Sequence, residues 1–305
     1  MDSILAQHIM NWLMLGSLYT LVALGFSLLF GVLNVIHFSH GDVSIVAPFV
    51  ALAAVQMLSA WFGPGMGAFG WVLALGLAIL ATGLLGILLD WLVIRRFRNS
   101  PAMMALVATV ALGTVLRELL RTLYPQGSNP KPFPLIAEGK VALGGLEVSV
   151  FALTVLGITV TLVTLLYVLL HHTPIGMRIR AVAEDRDVAR LMAINPNRVF
   201  AVTFFIASAI GAVGGLLYGS YAGVVRFDFG IQLGLIGFSA AVLGGLGSMP
   251  GAILGSMLIA GIDVLAQVAL ADGAAYRLVF VFLLVIAVLV LKPSGIFGKP
   301  VIEKV

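Results

Sequence analysis

Residues Val43 to Leu89 read VSIVAPFVALAAVQMLSAWFGPGMGAFGWVLALGLAILATGLLGILL and contain no Asp, Glu, Lys or Arg. A helix crossing the hydrocarbon core of a bilayer needs about 20 predominantly apolar residues, so this window has room for two crossings. Gly63-Pro64-Gly65-Met66-Gly67 falls inside it, and Gly and Pro both disfavour continuing a helix. The window therefore divides there into two antiparallel spans. Ile9 to Gly41 and Phe229 to Ile262 are equally free of charge. Across all 305 residues, 61% are hydrophobic and 10% charged, against about 25% charged in an ordinary soluble domain. The fold class is an all-α integral membrane protein, one polytopic helical domain over residues 1–305.

Hydropathy and helix breakers place spans near 8–31, 43–62, 69–94, 102–123, 149–170, 199–223 and 277–291. Between the last two lies a Gly-rich region, 231–268. Eleven of the seventeen basic residues fall in one set of connections: Arg95, Arg96, Arg98, Arg178, Arg180, Arg186, Arg190, Arg198, Lys292, Lys299 and Lys304. The positive-inside rule assigns these to the cytoplasm. The connection from Tyr124 to Glu147 balances two lysines with two glutamates and falls outside. The N-terminus is then external and the C-terminus cytoplasmic. With that parity, 231–268 must leave and return on one side. We expect a broken or re-entrant hairpin, Ile231 to Gly245 and Gly251 to Val268, interrupted at Leu246-Gly247-Ser248-Met249-Pro250, for eight or nine membrane segments in all.

The net charge of +4 and pI of about 9.6 do not mark a nucleic-acid surface, because the basic residues sit between apolar segments and not among aromatics on a polar domain. The absence of cysteine excludes disulfides, thiolate metal sites and a cysteine nucleophile. Asp2 stands where a signal peptide carries basic residues, and no A-x-A cleavage motif follows the stretch from Ile9, so the first apolar segment reads as a retained span. There is no H-E-x-x-H and no G-x-S-x-G, and no catalytic residue is assigned.

Asn34-Val35-Ile36-His37-Phe38-Ser39-His40-Gly41-Asp42 sets several hydrogen-bonding side chains between two apolar spans. One reading is a turn in which Asp42 caps the next helix. Another is a non-helical stretch lining the solute path, tolerable at membrane depth only beside protein or water. As a metal site, His37 and His40 have only Asp42 as a nearby third ligand, too sparse a set to assign. Gly211, Gly215, Gly219 and Gly223 recur every fourth residue, a stripe suited to close helix packing. Gly244, Gly245, Gly247 and Gly251, with Pro250, mark a helix break whose free backbone groups suit the path. Five charges stand within spans: Asp90 and Arg121 close enough to span ends to reach the interface, Arg117 and Glu118 on different faces, and Asp263 either at the path or near the outer surface.

His171 to Arg198 is too polar to lie in the bilayer. Thr173-Pro174 suits a helix start, Ala181, Val182, Val188, Ala189, Leu191 and Met192 alternate with charges, and Ile194-Asn195-Pro196 ends the pattern. It reads either as a solvated loop or as one or two short amphipathic helices that dock a partner.

The run GMRIRAVAEDRDVARLMAIN, followed by Phe204 to Tyr218, resembles the cytoplasmic coupling segment of the branched-chain amino acid permeases of ABC importers. YTLVALGFSL from Tyr19, Gly31 to Asp42, Ala240 to Gly255 and the closing LKPSGIFG from Leu291 resemble the same family, so the likeness spans nearly the whole chain. The sequence departs from the family pattern at His37, commonly Asn, at Ser39, commonly Ala, and at Ala193, commonly Gly. The resemblance implies an inner-membrane subunit that forms a solute path with a second, similar permease. Two cytoplasmic ATPases would drive it and an extracytoplasmic binding protein would deliver the solute. It also implies that 172–198 couples to an ATPase through Gly176, Arg178, Arg180, Ala181, Glu184, Asp185, Ala189 and Arg190. The chain has no G-x-x-x-x-G-K-[ST] loop, so ATP is expected on the partner subunits, with no cofactor here. The competing function is a stand-alone carrier or channel for a small polar solute such as urea or a short amide. The path residues expected from both readings are Asn34, His37, Phe38, His40 and Asp42, with Gly244, Gly245, Gly247 and Gly251.

Overall fold

Long apolar segments without breakers form long helices, and the computed structural model bears this out for residues 2–63, 67–98, 100–143, 146–270 and 273–298, the part of the chain it describes. Pro64, Gly65 and Met66 of the expected turn lie outside the described residues, as do Lys299 and Lys304. The helices are α1 (Asp2–Leu33), α2 (His40–Phe62), α3 (Gly67–Phe97, with a π-turn over Asp90–Ile94), α4 (Ala102–Leu123) and α5 (Val150–His172). They continue with α6 (Pro174–Glu184), α7 (Arg186–Leu191), α8 (Pro196–Ala222), α9 (Phe229–Gly244), α10 (Met249–Ala269) and α11 (Gly273–Leu291). Among the described residues, seven helices are long and apolar enough to cross a membrane, and two shorter apolar helices, Phe229–Gly244 and Ala275–Leu291, accompany them.

α1 is the axis of the bundle. Its apolar window is 89% buried, and it packs on α5, α8, α9 and α10, as a helix that is hydrophobic on every side must. The outer helices show a reversed amphipathicity. On α3 the small residues Gly70, Ala74, Ala78, Thr82 and Gly86 face inward, while Leu73, Leu77, Leu80, Leu84, Leu88 and Trp91 are exposed. This is the pattern of a helix whose solvent is lipid: bulky apolar groups face out, and small ones let neighbouring backbones approach. The expected glycine stripe on α8 behaves this way. A Cβ at Gly211 would meet the Ser44 hydroxyl at 2.5 Å, one at Gly215 would overlap the Ser44 carbonyl, and one at Gly219 would meet Val225 at 3.1 Å. Gly223 faces open space instead and ends the helix at φ +67, the left-handed C-cap that glycine adopts at no steric cost.

The short strands were not legible as elements. Lys131–Pro132 (β1) pairs antiparallel with Val224–Val225 (β4), and Lys140–Leu143 (β2) pairs with Leu146–Ser149 (β3). Strands of two and four residues are too short to show a period, so 124–147 reads as plain loop. The helix break, by contrast, falls between Gly244 and Met249, where the sequence placed an interruption at 246–250. α9 ends at Gly244, Gly245 and Gly247 have φ of +104 and +84, and α10 restarts behind Ser248, whose hydroxyl accepts from the Gly251 amide. The carbonyls freed at the end of α9 are taken by the segment after α11, with Ile296 N–H on Leu243 O at 2.9 Å and Phe297 N–H on Gly244 O at 2.8 Å. In a bilayer such groups have no water to turn to.

Candidate functional site

α1 stops at Leu33 because Asn34 takes φ +54, a conformation that Asn tolerates better than most residues. The next residues are not helical until His40. The imidazole of His40 lies against Gly25, whose Cβ it would overlap. Gly25 is eight residues before Leu33, so α2 begins about 12 Å back along α1 at 1.5 Å per residue. Asn34 to Ser39 therefore returns into the bundle as irregular backbone. Its polar groups find partners there: Phe38 N–H donates to Thr109 Oγ1 at 3.2 Å, and Ser39 Oγ lies 3.0 Å from His37 Nε2. His37 meets Phe204 edge-on, and His40 meets Phe26. Both histidines are buried, and His37 Nδ1 and both His40 ring nitrogens have no hydrogen-bond partner among the described residues.

Asp42 does not cap α2. Ser39 is the N-cap residue and makes no side-chain cap bond, while both Asp42 oxygens accept from Arg117 Nη1, at 3.0 and 2.9 Å. At this depth a cation outcompetes neutral amides for a carboxylate, because each buried charge needs the other. Arg117 also donates through Nη2 to Thr114 Oγ1 at 3.0 Å. Its sequence neighbour Glu118 points out and pairs with Arg121. Phe38, Asp42, Arg117 and Ile231 border a cavity of about 170 Å³ between α2, α4 and α9. Spacing marked Asp42 for this place but gave no partner. The only signal for Arg117 was a charge inside a span.

The glycines of the break lie elsewhere. Gly244 and Gly251 meet backbone to backbone, each leaving no room for a Cβ on the other, and Gly245 is covered by Phe297 and Gly298. A Cβ at Gly247 would come within 3.3 Å of Gly31 Cα. Gly247 and Asn34 instead border a second, larger cleft of about 1200 Å³ at the α6–α7 end, with Arg98, Arg180, Glu184 and Arg186. Asp90, expected at an interface, is buried and paired with Arg98. Arg98 also donates to Asn197 Oδ1 at 2.8 Å and lies over the Phe200 ring. Asp263 is likewise buried, accepting from the Tyr19 hydroxyl at 2.6 Å and from Gln267 at 2.8 Å.

The polar segment folds as two short helices, one of the readings its pattern left open. Thr173 caps α6, accepting from Gly176 N–H, and Pro174 occupies the first turn. Asp185 caps α7 by accepting from the amides of Asp187 and Val188, and Asn195 caps α8. Ile179, Val182 and Ala189 are buried against the bundle. Gly176 is held under the Leu169 and Leu170 carbonyls, and Ala181 is half-buried. Arg178, Arg180, Glu184, Asp185 and Arg190 are exposed. So are Val188, Leu191 and Met192, the last two at 86% and 73%. Arg186 anchors the segment, donating to Leu33 O and lying over Phe200. Among the described residues no three His, Asp or Glu side chains converge as metal ligands.

Residues 8–289 match the family model described as branched-chain amino acid transport system / permease component. The chain is 33% identical to the high-affinity branched-chain amino acid transport system permease protein LivH of Escherichia coli (strain K12), 32% to LivH of Salmonella typhimurium and 31% to BraD of Pseudomonas aeruginosa. Each alignment covers 98% of this chain and 97% of its relative. With a helical membrane architecture and a match over almost its entire length, the chain belongs to the permease-component family of branched-chain amino acid transport systems.

Proposed function

We infer that this chain is the membrane-spanning subunit of an ATP-driven importer that carries branched-chain amino acids across the cell inner membrane. A second, similar permease, two cytoplasmic ATPases and an external binding protein complete it, and ATP binds to the ATPases. The observation that carries this reading is the surface of α6–α7. Val188, Leu191 and Met192, spaced i, i+3 and i+4, are exposed with Asp187 and Arg190 beside them in sequence, on a segment locked to α1 and α8. An apolar patch rimmed by charge is the composition of a protein contact, and a rigid mounting lets a push on it reach the spans.

The topology we propose has the N-terminus outside, the C-terminus in the cytoplasm and nine membrane segments, supported by the clustering of Arg and Lys at the α6–α7 end. At about 24 Å, α9 is shorter than the roughly 30 Å hydrocarbon core. It forms the descending arm of a broken hairpin with α10. The solute path runs from the Asp42 cavity, past Phe38 and the buried His37 and His40, to the cleft bordered by Asn34 and Gly247. Gly244, Gly245 and Gly251 hold the break that frames it.

The test is uptake of radiolabelled leucine into proteoliposomes holding the assembled complex with its binding protein. ATP-dependent accumulation is expected. Equal uptake by this chain alone without nucleotide would establish the stand-alone carrier instead.

A further inference from the structure

We propose that the Asp42–Arg117 ion pair is a transit site for the charged head of a zwitterionic α-amino acid, and that the apolar wall beside it seats an aliphatic side chain. This rests on the importer reading above and adds the chemistry by which the solute is recognised inside the membrane. Three observations carry it.

The first is the geometry of the pair. A single guanidinium nitrogen, Nη1, serves both Asp42 oxygens, while Nη2 turns to Thr114. Arg–carboxylate pairs are frequently bidentate, with two parallel N–H donors on the acid, and this one is not. Here Nε makes no hydrogen bond to the described residues, so donor capacity remains for an incoming carboxylate. The pair is also only partly sealed: the Arg117 side chain is 19% exposed and that of Asp42 is 6%.

The second is the cavity. Its other walls are Phe38, Val110, Ile231 and Leu235, with Gly230 and Gly234. Its volume of about 170 Å³ equals roughly six waters at about 30 Å³ each, room for a small amino acid. Opposite charges together with aliphatic and aromatic carbon in one lining complement an ammonium, a carboxylate and a branched alkyl group.

The third is that two neighbouring helices reach the carboxylate only through glycines. A Cβ at Gly113 of α4 or at Gly230 of α9 would overlap an Asp42 oxygen. The carboxylate thus sits between two helices that come no nearer than glycine allows. When solute enters, its carboxylate takes the free Arg117 donors and its ammonium takes Asp42. When it leaves, the pair closes on itself, so no uncompensated charge is left at depth in either state.

The experiment uses the complete complex in proteoliposomes, reading leucine uptake, ATP hydrolysis stimulated by binding protein, and thermal midpoint. Arg117→Gln is expected to lower uptake at least tenfold while hydrolysis continues. The double variant Asp42→Asn with Arg117→Gln removes both charges and keeps the shapes. It is expected to assemble with a midpoint near the parent's and still carry leucine at least tenfold more slowly. Recovery of uptake in the double variant would mean a packing role and overturn the proposal. Val110→Trp, which fills the cavity without touching either charge, is expected to block uptake in assembled complexes, and parental uptake by it overturns the proposal equally. Failure of the importer reading looks different: the unaltered complex would then show no ATP-driven leucine uptake at all.

Discussion

The imidazole of His40 occupies the space that a Cβ on Gly25 would need. Gly211 faces the same ring from α8, where a Cβ would lie 2.9 Å from Cε1 and 2.5 Å from the Ser44 hydroxyl. Two helices thus close on the first residue of α2 through glycine notches. Gly25→Ala and Gly211→Ala are each expected to destabilise the permease by about 1–3 kcal/mol. Gly157 of α5 has nothing within 4 Å of its Cβ position, and Gly157→Ala is expected to be neutral or to stabilise by up to about 1 kcal/mol. Thermal midpoints of the three variants in one detergent decide it, and equal shifts would refute the notch.

Ala193 carries φ +58 just past α7, where Ile194 N–H reaches back to Ala189 O at 3.0 Å. A left-handed alanine costs roughly 1–2 kcal/mol, of which glycine recovers part after its own backbone entropy of about 0.5–1 kcal/mol. Ala193→Gly is expected to raise stability by up to about 1 kcal/mol and to slow proteolysis between α7 and α8. A lower midpoint for the variant would show that the turn is not strained.

Tyr19 of α1 donates to Asp263 of α10 at 2.6 Å, with both side chains buried. Tyr19→Phe keeps the ring and removes the donor, leaving the carboxylate with Gln267. The expected loss is about 1–3 kcal/mol, the cost of an under-satisfied buried acceptor. A change below about 0.5 kcal/mol would mean that another group replaces the hydroxyl.

Leu191 at the end of α7 and Met192 just past it are exposed, whereas Ala189 on the same helix is buried. Leu191→Asp and Met192→Asp are expected to leave a folded permease whose partners hydrolyse ATP without moving leucine. Ala189→Glu forces a charge into the packing beneath and is expected to lower stability first. Normal coupling in both aspartate variants would remove α7 as the docking face.

Lys140 and Arg190 are both exposed, and the chain has no cysteine of its own. Single variants Lys140→Cys and Arg190→Cys are expected to label from opposite sides of the membrane, Lys140→Cys from outside in intact cells. The reverse pattern would invert the topology.

Span positions were legible because lipid demands long uninterrupted apolar runs, and α4 falls at 102–123, as hydropathy placed it. The helix start at Thr173 was legible for a local reason, since its cap needs only its own hydroxyl and the next two or three residues, whereas Asn195, read as the end of the polar pattern, also caps α8. Asp42 misled the local reading. Its spacing fits a cap, and nothing in residues 34–42 reveals an arginine seventy-five positions away.

Composition, charge placement and motif likeness by themselves determined that this protein is a helical membrane permease with a long polar segment between two spans, because hydropathy acts over a few residues at a time. Tertiary structure alone decided which glycines are notches and which are caps, that Asp90 and Asp263 are buried in pairs, and that Asp42 belongs to Arg117. Those outcomes depend on which helix faces meet. In a chain where nearly every span is apolar on all sides, hydropathy carries no record of facing, and only the packing of small residues against particular neighbours selects one arrangement.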